Sequence, residues 1–300
     1  MTRIAMSLSG LRISRQVFNS IRLLCIVGLM LASQKISAQT PVPSSTPAPL
    51  VTDPSDPLAW HAEDTDAWKH IIHDMKRPLP PASQPKSEAE LAPSAKAPTN
   101  AIILFDGKDL SAWQPSKWVV RDGYVEVTPH SGYLISKQPF GSCRLHLEWW
   151  TPDTEPLKNG QNRGNSGVFL MGLYEIQVLD TYNNPTYADG IAGSVYGQYP
   201  PTSNPIRPPG HWQYYDIEFH HPVFDAKGNA TKPARVTVDF NGVRVQDNVE
   251  ILGKTSHGHR TLYQAHPDAL PLQLQDHHEV VRFRNIWIVP LDESGTSKRS

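Results

Sequence analysis

The sequence predicts an all-β domain built as an antiparallel β-sandwich or jelly roll. Short apolar runs recur after residue 100 with turn residues between them, and such spacing is typical of sandwiches. Asp122-Gly123 and Asn241-Gly242 each separate two of these runs, and both dipeptides favour tight hairpin turns. No helical periodicity alternates with the runs, which argues against a parallel sheet with crossover helices.

The strand candidates follow one another from residue 102 to residue 289. They are 102–105, 118–121, 124–127, 143–150, 167–170, 174–179, 214–220, 235–240, 243–246, 272–275 and 280–289. Between two of them lies the segment 181–211, which is long and rich in Pro, Gly and aromatic residues. Loops of this length in compact domains are usually lids or binding loops.

The N-terminus has the pattern of an export signal. Four arginines precede the apolar run 23–32, and Ile36-Ser37-Ala38 follows as a small-residue cleavage site. We therefore predict a signal peptide over 1–38, cleaved after Ala38, and a periplasmic or secreted protein; an uncleaved signal anchor is the alternative. The run is too short to span a bilayer as a stable helix, and no second apolar segment follows, so we expect no membrane span in the mature chain.

Residues 39–99 have the composition of a linker. Prolines crowd both ends of this stretch, and because proline lacks an N–H and fixes φ, neither helix nor sheet propagates through such runs. Apolar residues at steps of three and four predict one short amphipathic helix near 60–75. We expect the rest to be an extended spacer, with the sandwich over 100–291 and a tail over 292–300.

Composition excludes one class of partner and indicates another. The net charge is −1 and no basic stripe stands out, so the electrostatic signature of nucleic-acid binding is absent. The 8 Trp and 10 Tyr are compatible with stacking on sugar rings and equally with core packing. Outside the apolar N-terminal run the chain has one cysteine, Cys143, which we predict to be a buried packing residue rather than a nucleophile.

Three polar strands contain the candidate site residues. Side chains alternate across a strand, so Glu175 and Gln177 share one face of the strand 174–179, either toward water or toward a groove. Asp180 falls on the opposite face unless a β-bulge rotates it. Glu218 belongs to the second polar strand, which is either a solvated outer face or part of the site. None of the 13 histidines has a recognised zinc spacing.

These strands carry several family motifs in order. They are Phe105–Trp113, Arg163–Phe169, Tyr174–Asp180, Asn241–Val243, Leu274–His277 and Arg282–Trp287. With them the chain resembles the 3-keto-disaccharide (3-keto-glycoside) hydrolase domain family over residues 101–291, which implies a concanavalin A-like lectin/glucanase fold. One departure is His278, where relatives tend to carry a glycine; a larger side chain there affects the rim of the site and substrate preference.

The resemblance implies a carbohydrate substrate whose C3 hydroxyl has already been oxidised by a partner sugar 3-dehydrogenase. The C3 ketone makes the C2 proton acidic, a base removes it, and the enolate expels the C1 substituent. The site then needs a base, a donor or cation near the C3 oxygen and an acid for the leaving group.

Candidate residues for these roles come from the three polar strands and the motif around Asn165. The base is Glu175 or His277, the enolate is stabilised by Arg163 or Arg284, the sugar hydroxyls are oriented by Asp180 and Gln177, and Asn165, Glu218 and Gln275 assist in binding. A divalent metal ion held by carboxylates is the alternative to the arginine.

Two other functions remain open from the sequence. A conventional retaining glycosidase of this fold has three acidic residues on one strand, and Glu175, Gln177 and Asp180 have comparable spacing, with Gln177 in place of the central acid. That replacement weakens the pKa separation which the catalytic pair needs. A non-catalytic lectin-like module is the other function, because fold alone does not decide activity.

Overall fold

The computed structural model describes residues 70–154 and 158–291. The predicted signal peptide, residues 60–69 of the predicted helix and the tail lie outside the described residues. Among the described helices, none is long and apolar enough to cross a membrane.

Fourteen strands form in the described residues. They are β1 (Ile102–Phe105), β2 (Val119–Arg121), β3 (Tyr124–Glu126), β4 (Leu134–Phe140), β5 (Cys143–Trp150), β6 (Ser166–Leu170), β7 (Tyr174–Val178), β8 (Gln213–His220), β9 (Val223–Phe224), β10 (Ala230–Lys232), β11 (Arg235–Phe240), β12 (Val243–Glu250), β13 (Leu270–Leu274) and β14 (Arg282–Pro290). The helical segments are α1 (Glu88–Ala95) and two 3₁₀ turns, Gly160–Asn162 and Ala188–Gly190.

The strands form two main antiparallel sheets. The large sheet has eight strands in the order β12-β11-β8-β5-β14-β3-β2, with β1 also paired to β14. The small sheet has the order β4-β13-β6-β7, and β9 and β10 form a separate two-stranded sheet. The predicted all-β antiparallel sandwich is confirmed.

The hydrophobic core lies between the two main sheets, where alternate residues of each strand point inward. The rings of Tyr174 on β7 and Phe219 on β8 meet with centroids 5.7 Å apart. The Tyr215 hydroxyl of the large sheet donates to the Gln177 carbonyl oxygen of the small sheet at 2.6 Å. This contact fixes the small sheet's edge strand, β7, against the large sheet.

The two predicted hairpins are present. Asp122 and Gly123 have φ of 49° and 80°, and Asn241 and Gly242 have φ of 48° and 75°. Positive φ at both central residues is the geometry that Asn-Gly and Asp-Gly turns supply.

Cys143 lies at the start of β5 and is buried. Burial raises the pKa of its thiol to about 12, so at neutral pH the sulfur is a protonated, inert packing atom. This agrees with the predicted packing role.

The segment upstream of the sandwich differs from the predicted spacer. Residues 70–75 form turns rather than the end of a helix, because His73 has a φ of 58°, which a right-handed helix excludes. A helix forms instead at α1, whose first turn is closed by a capping box between Ser87 and Glu90.

The upstream segment is also in contact with the sandwich. Leu91 of α1 is buried, and Asn285 and Trp287 of β14 donate side-chain hydrogen bonds to the Ala95 carbonyl oxygen at 2.8 and 3.2 Å. Arg207 donates to the carbonyl oxygen of Lys86 at 2.5 Å. Residues 70–99 are therefore packed on the domain along much of their length.

Candidate active site

A pocket of about 260 Å³ opens on the small sheet. Its walls come from β6, β7, the residues that follow β13, and three loops. The lining residues are Tyr133, Asn165, Phe169, Glu175, Gln177, Tyr196, Thr255, Ser256, His257, Gln275 and His277. The set combines aromatic rings with amides, hydroxyls, imidazoles and one carboxylate, a composition suited to a small polar ligand with apolar faces.

Glu175 lies in this pocket because β7 alternates. Tyr174, Ile176 and Val178 are buried in the core, so Glu175 and Gln177 project from the opposite face. On the neighbouring strand β6, Gly167 leaves room for the carboxylate, since a Cβ atom there would lie 2.3 Å from Glu175 Oε1.

The environment of Glu175 favours its protonated form. The residue is 4% exposed, and burial raises the pKa of its carboxyl to about 8. No Lys or Arg is among the described residues that line the pocket, so no cation offsets the desolvation of the carboxylate.

A network of side-chain amides surrounds the carboxylate. Gln177 Nε2 lies 3.1 Å from Gln161 Oε1 and 3.3 Å from Asn165 Oδ1. With its amide turned over, Gln177 donates to Glu175 Oε1 at 3.1 Å. Asn165 is fixed in turn by a 2.8 Å hydrogen bond from its Nδ2 to the Gln161 carbonyl oxygen. These amides offer both donors and acceptors to sugar hydroxyls.

The residues on one side of the pocket come from the segment after β13 and the loop before β4. Gln275 Nε2 donates to the Tyr133 hydroxyl at 3.0 Å, whereas Gln275 Oε1 is buried without a hydrogen-bond partner among the described residues. The Tyr133 ring lies 5.8 Å from the Phe169 ring. His277 is exposed, and partial desolvation lowers the pKa of its imidazole.

The other side of the pocket comes from two loops. The Tyr196 hydroxyl lies 2.9 Å from the Tyr187 hydroxyl and 3.3 Å from His257 Nδ1. Thr255 Oγ1 accepts a 3.0 Å hydrogen bond from the Glu175 backbone N–H. This contact ties the second loop to the strand that carries the carboxylate.

Four of the nine predicted site residues do not line the pocket, and the first two form a buried ion pair. Arg163 Nε donates to Asp180 Oδ2 at 2.7 Å, and both side chains are 1% exposed. Arg163 also donates to the Tyr182 carbonyl oxygen. Strand β7 ends at Val178, and Asp180 lies two residues further along, buried beside Arg163.

Glu218 and Arg284 lie on the large sheet. Glu218 accepts a 2.8 Å hydrogen bond from Arg144 Nε, and its neighbours Ile217 and Phe219 occupy the core, which directs Glu218 to the outer face. Arg284 pairs with Glu148 at 2.6 Å. The predicted arginine near the C3 oxygen is therefore absent from the pocket.

The other five predicted residues come together in the pocket, namely Asn165, Glu175, Gln177, Gln275 and His277. Sequence reasoning missed six further lining residues: Tyr133, Phe169, Tyr196, Thr255, Ser256 and His257. Two signals pointed toward three of them. Tyr196 belongs to the long aromatic loop, and Ser256 and His257 belong to a polar, glycine-containing stretch.

Potential metal ligands in the described part of the chain are His, Cys, Asp and Glu side chains. No group of three or more His, Cys, Asp or Glu side chains there is placed to hold a metal ion. The donors of the pocket itself are mainly amides and hydroxyls around a single carboxylate, a set that suits a sugar better than a divalent ion.

Residues 100–289 match the 3-keto-alpha-glucoside-1,2-lyase-like domain. The chain belongs to this family. No curated protein that matches the chain was found.

Two solved structures are similar to the chain. A proposed glycosyl hydrolase from Parabacteroides distasonis ATCC 8503 is 42% identical, covers 72% of this chain and 93% of its own, and has a TM-score of 0.64. A second proposed glycosyl hydrolase from the same organism is 20% identical over 69% and 98% of the two chains, with a TM-score of 0.46. The family and the first relative indicate a glycoside-hydrolase-like or carbohydrate-binding protein.

Proposed function

We propose that the protein cleaves 3-keto-glycosides by removing the C2 proton, with Glu175 as the base. The observation that carries this proposal is a lone carboxylate, buried in a polar pocket without a cation, whose pKa of about 8 lies near physiological pH. A general base is most effective when its pKa is close to the pH at which it works.

The electron flow of the reaction balances within the substrate. Glu175 takes the C2 proton, and the C–H electron pair becomes a C2–C3 enolate. The enolate collapses to restore the ketone, forms a C1–C2 double bond and expels the C1 oxygen, which takes up a proton. Addition of water to the double bond then completes a net hydrolysis, and without that step the enzyme is a lyase.

The enolate is stabilised by neutral hydrogen-bond donors in this proposal. The amides of Asn165 and Gln177 and the Tyr196 hydroxyl line the pocket, and we assign this role to them. Burial raises the pKa of Tyr196, which keeps its hydroxyl protonated and able to donate. Donors held in place before the reaction stabilise developing negative charge without reorganisation.

We assign proton transfer to the leaving group to His277. Its imidazole is at an exposed position of the pocket, where a C1 substituent has room to leave. Desolvation lowers the pKa of its imidazole, so the ring is mainly neutral at pH 7, and a neutral imidazole can pass a proton by accepting one from water on one nitrogen and donating one from the other. The pocket volume of about 260 Å³ favours a single sugar ring inside and the leaving group outside.

A conventional retaining glycosidase requires two carboxylates about 5 Å apart. Glu175 is the only carboxylate among the described residues that line the pocket. The pocket therefore supports elimination from a keto sugar better than direct displacement at C1.

The context of the enzyme follows from the proposed chemistry. A dehydrogenase that oxidises the C3 hydroxyl of a sugar supplies the substrate. Because residues 1–38 have the pattern of a cleaved signal peptide, we place this reaction in the periplasm or outside the cell.

The proposal is tested by incubating the protein with p-nitrophenyl 3-keto-α-glucoside and with its unoxidised parent. Release of nitrophenol from the keto form alone is the expected result. Release from the parent at a comparable rate indicates a conventional glycosidase. Saturable binding of either sugar without release indicates a lectin-like module, and both of these results overturn the proposal.

A further inference from the structure

The segment upstream of the family domain reaches the back of the pocket wall. The His73 ring stacks on the Tyr187 ring, with centroids 4.0 Å apart and planes 21° apart. The same ring meets Tyr196 edge-on at 5.1 Å and His257 at 5.2 Å. Tyr196 and His257 both line the pocket, so His73 contacts two lining residues from behind.

Several backbone contacts hold this segment in place. The His73 N–H donates to Asp189 Oδ2 at 3.2 Å. Arg260 bridges the segment and the pocket loop, because its Nη1 donates to the His70 carbonyl oxygen and its Nε donates to the Gly197 carbonyl oxygen, each at 3.0 Å.

Ile72 packs closely against the residue that follows Tyr196. A Cβ atom at Gly197 would lie 2.9 Å from Ile72 Cδ1, and Gly197 has a φ of 71°. The glycine thus allows both the left-handed turn and the close approach of the upstream segment.

The contact between His73 and Tyr187 is a ring stack rather than an ion pair. Burial lowers the pKa of His73 and outweighs the opposite effect of Asp189, so the imidazole is neutral at pH 7. His73 Nε2 is buried without a hydrogen-bond partner among the described residues, which leaves the face of the ring as the part that acts on its neighbours.

We infer that His73 is a positioning residue, which holds Tyr196 and His257 in the pocket wall, and that the active site therefore extends beyond the family domain into residues 70–73. The inference rests on the proposed function for its catalytic consequence, since Tyr196 acts there as a donor to the enolate. Tyr187 transmits the contact, through its stack on His73 and its hydroxyl bond to Tyr196.

Three variants of the full chain test the inference. His73→Ala removes the ring, His73→Phe keeps the stacking surface, and Met75→Ala is the control, because Met75 belongs to the same segment and is 64% exposed. We expect His73→Ala to lower kcat/KM on the 3-keto-glucoside about tenfold, mostly through kcat. A displaced donor reduces the stabilisation of the transition state more than it reduces the binding of the substrate. His73→Phe should stay within about threefold of the wild type and Met75→Ala should equal it.

A double-mutant cycle separates positioning from general destabilisation. If His73 acts through Tyr196, His73→Ala changes kcat by less than about twofold in a Tyr196→Phe background. Equal losses in both backgrounds overturn the inference, and so does a wild-type kcat/KM in His73→Ala.

Amide hydrogen exchange supplies a readout that needs no substrate. In His73→Ala we expect the peptide 187–198 to exchange at least about tenfold faster than in the wild type, with recovery in His73→Phe and no change in Met75→Ala. If the wild type turns over neither sugar, the proposed function fails, and exchange alone decides this inference. Unchanged exchange in His73→Ala then overturns it, and faster exchange rescued by His73→Phe supports it.

Discussion

The Glu175 carboxyl combines a catalytic advantage with a loss of stability. Its pKa rises from an ordinary 4.5 to about 8 on folding, because the pocket removes water from the carboxylate without supplying a cation. The folded-state pKa lies above the unfolded one, so ionisation is less favourable in the folded protein. Burial of this group therefore destabilises the fold progressively as the pH rises from about 4.5 to about 8, and the loss is complete above that window.

Replacement of Glu175 by Gln should move activity and stability in opposite directions. We expect kcat to fall by about 10²-fold or more, because the base is lost, and stability at pH 8 to rise by up to about 4 kcal/mol, because the buried charge is lost. The gain in the free energy of unfolding should disappear near pH 4, where the Glu175 carboxyl is protonated in both the folded and the unfolded protein. Steady-state kinetics and urea unfolding at both pH values measure these effects.

Glu218→Gln is the matched control for this substitution. Hydrogen bonding and charge from Arg144 outweigh burial and lower the pKa of Glu218, so its removal should not stabilise the protein at pH 8 and should leave kcat unchanged. In the wild type, kcat/KM should rise with pH up to about 8. A rate that is already constant above pH 6 would contradict Glu175 as the base.

Breaking the buried ion pair of Arg163 and Asp180 should destabilise the fold rather than remove a catalytic group. Asp180→Asn removes one charge of an ion pair whose two side chains are each 1% exposed, and we expect a loss of about 3–5 kcal/mol in the free energy of unfolding. Asp239→Asn, which breaks an exposed pair with Arg244, should cost less than about 1 kcal/mol. Urea unfolding measures both. An Asp180→Asn protein of full stability and no activity would restore the catalytic role expected from the sequence.

These residues show which parts of the site the sequence predicts. Alternation along β7 places Glu175 and Gln177 on one face, and no long-range information is needed for that. Asp180 and Arg163 have the same polar character and lie nearby in the chain, yet they pair with each other in the interior. Sequence does not distinguish a paired buried charge from one that faces a ligand, because the difference depends on tertiary contacts.

The edge of the small sheet is covered next to β7. The residues after the second 3₁₀ turn pair with β7, since the Gln177 N–H donates to the Ser194 carbonyl oxygen and the Tyr196 N–H donates to the Glu175 carbonyl oxygen. An edge strand with unpaired backbone groups is a site for unwanted association. Here the same loop closes the edge and supplies Tyr196 to the pocket.

Leu91 is the buried residue of helix α1. Leu91→Ala should lower the free energy of unfolding by about 2 kcal/mol, because a buried side chain is truncated. Leu79→Ala is the control, since Leu79 belongs to the same segment and is 46% exposed, and it should change stability by less than about 0.5 kcal/mol. Equal effects in thermal or urea unfolding would contradict the docking of α1.

Most strands were predictable, whereas β4, β9, β10 and the upstream segment were not, and the reason is physical. Period-two alternation and Asn-Gly or Asp-Gly turns are local signals, so β3, β5, β7, β8 and β11 were all found. The prolines of 39–99 obscured a short helix that begins with the capping box Ser87-Glu88-Ala89-Glu90. Its stability depends on contacts with residues about 190 positions away, such as the hydrogen bond from Asn285, and no local pattern reports them.

Residues 70–99 pack on the sandwich through buried Leu91 and through hydrogen bonds from Arg207 and Asn285, and we expect the two parts to unfold together. We expect a chain that begins at residue 100 to melt at least about 10 °C below one that begins at residue 70. Removing Leu91 and the acceptors of Arg207 and Asn285 costs several kcal/mol, and 1 kcal/mol corresponds to about 2–4 °C in a domain of this size. Calorimetry on the two chains measures the difference. Equal melting temperatures would show that the upstream segment contributes no net stability.

The inert thiol of Cys143 gives the sandwich a built-in reporter of global opening. β5 lies between β8 and β14 in the interior of the large sheet, so an alkylating reagent reaches the sulfur only after these neighbours separate. Labelling rates measured against denaturant concentration therefore yield the free energy of full unfolding. Comparing these labelling rates with amide hydrogen exchange around Tyr196 then distinguishes local opening of the pocket from global unfolding of the domain.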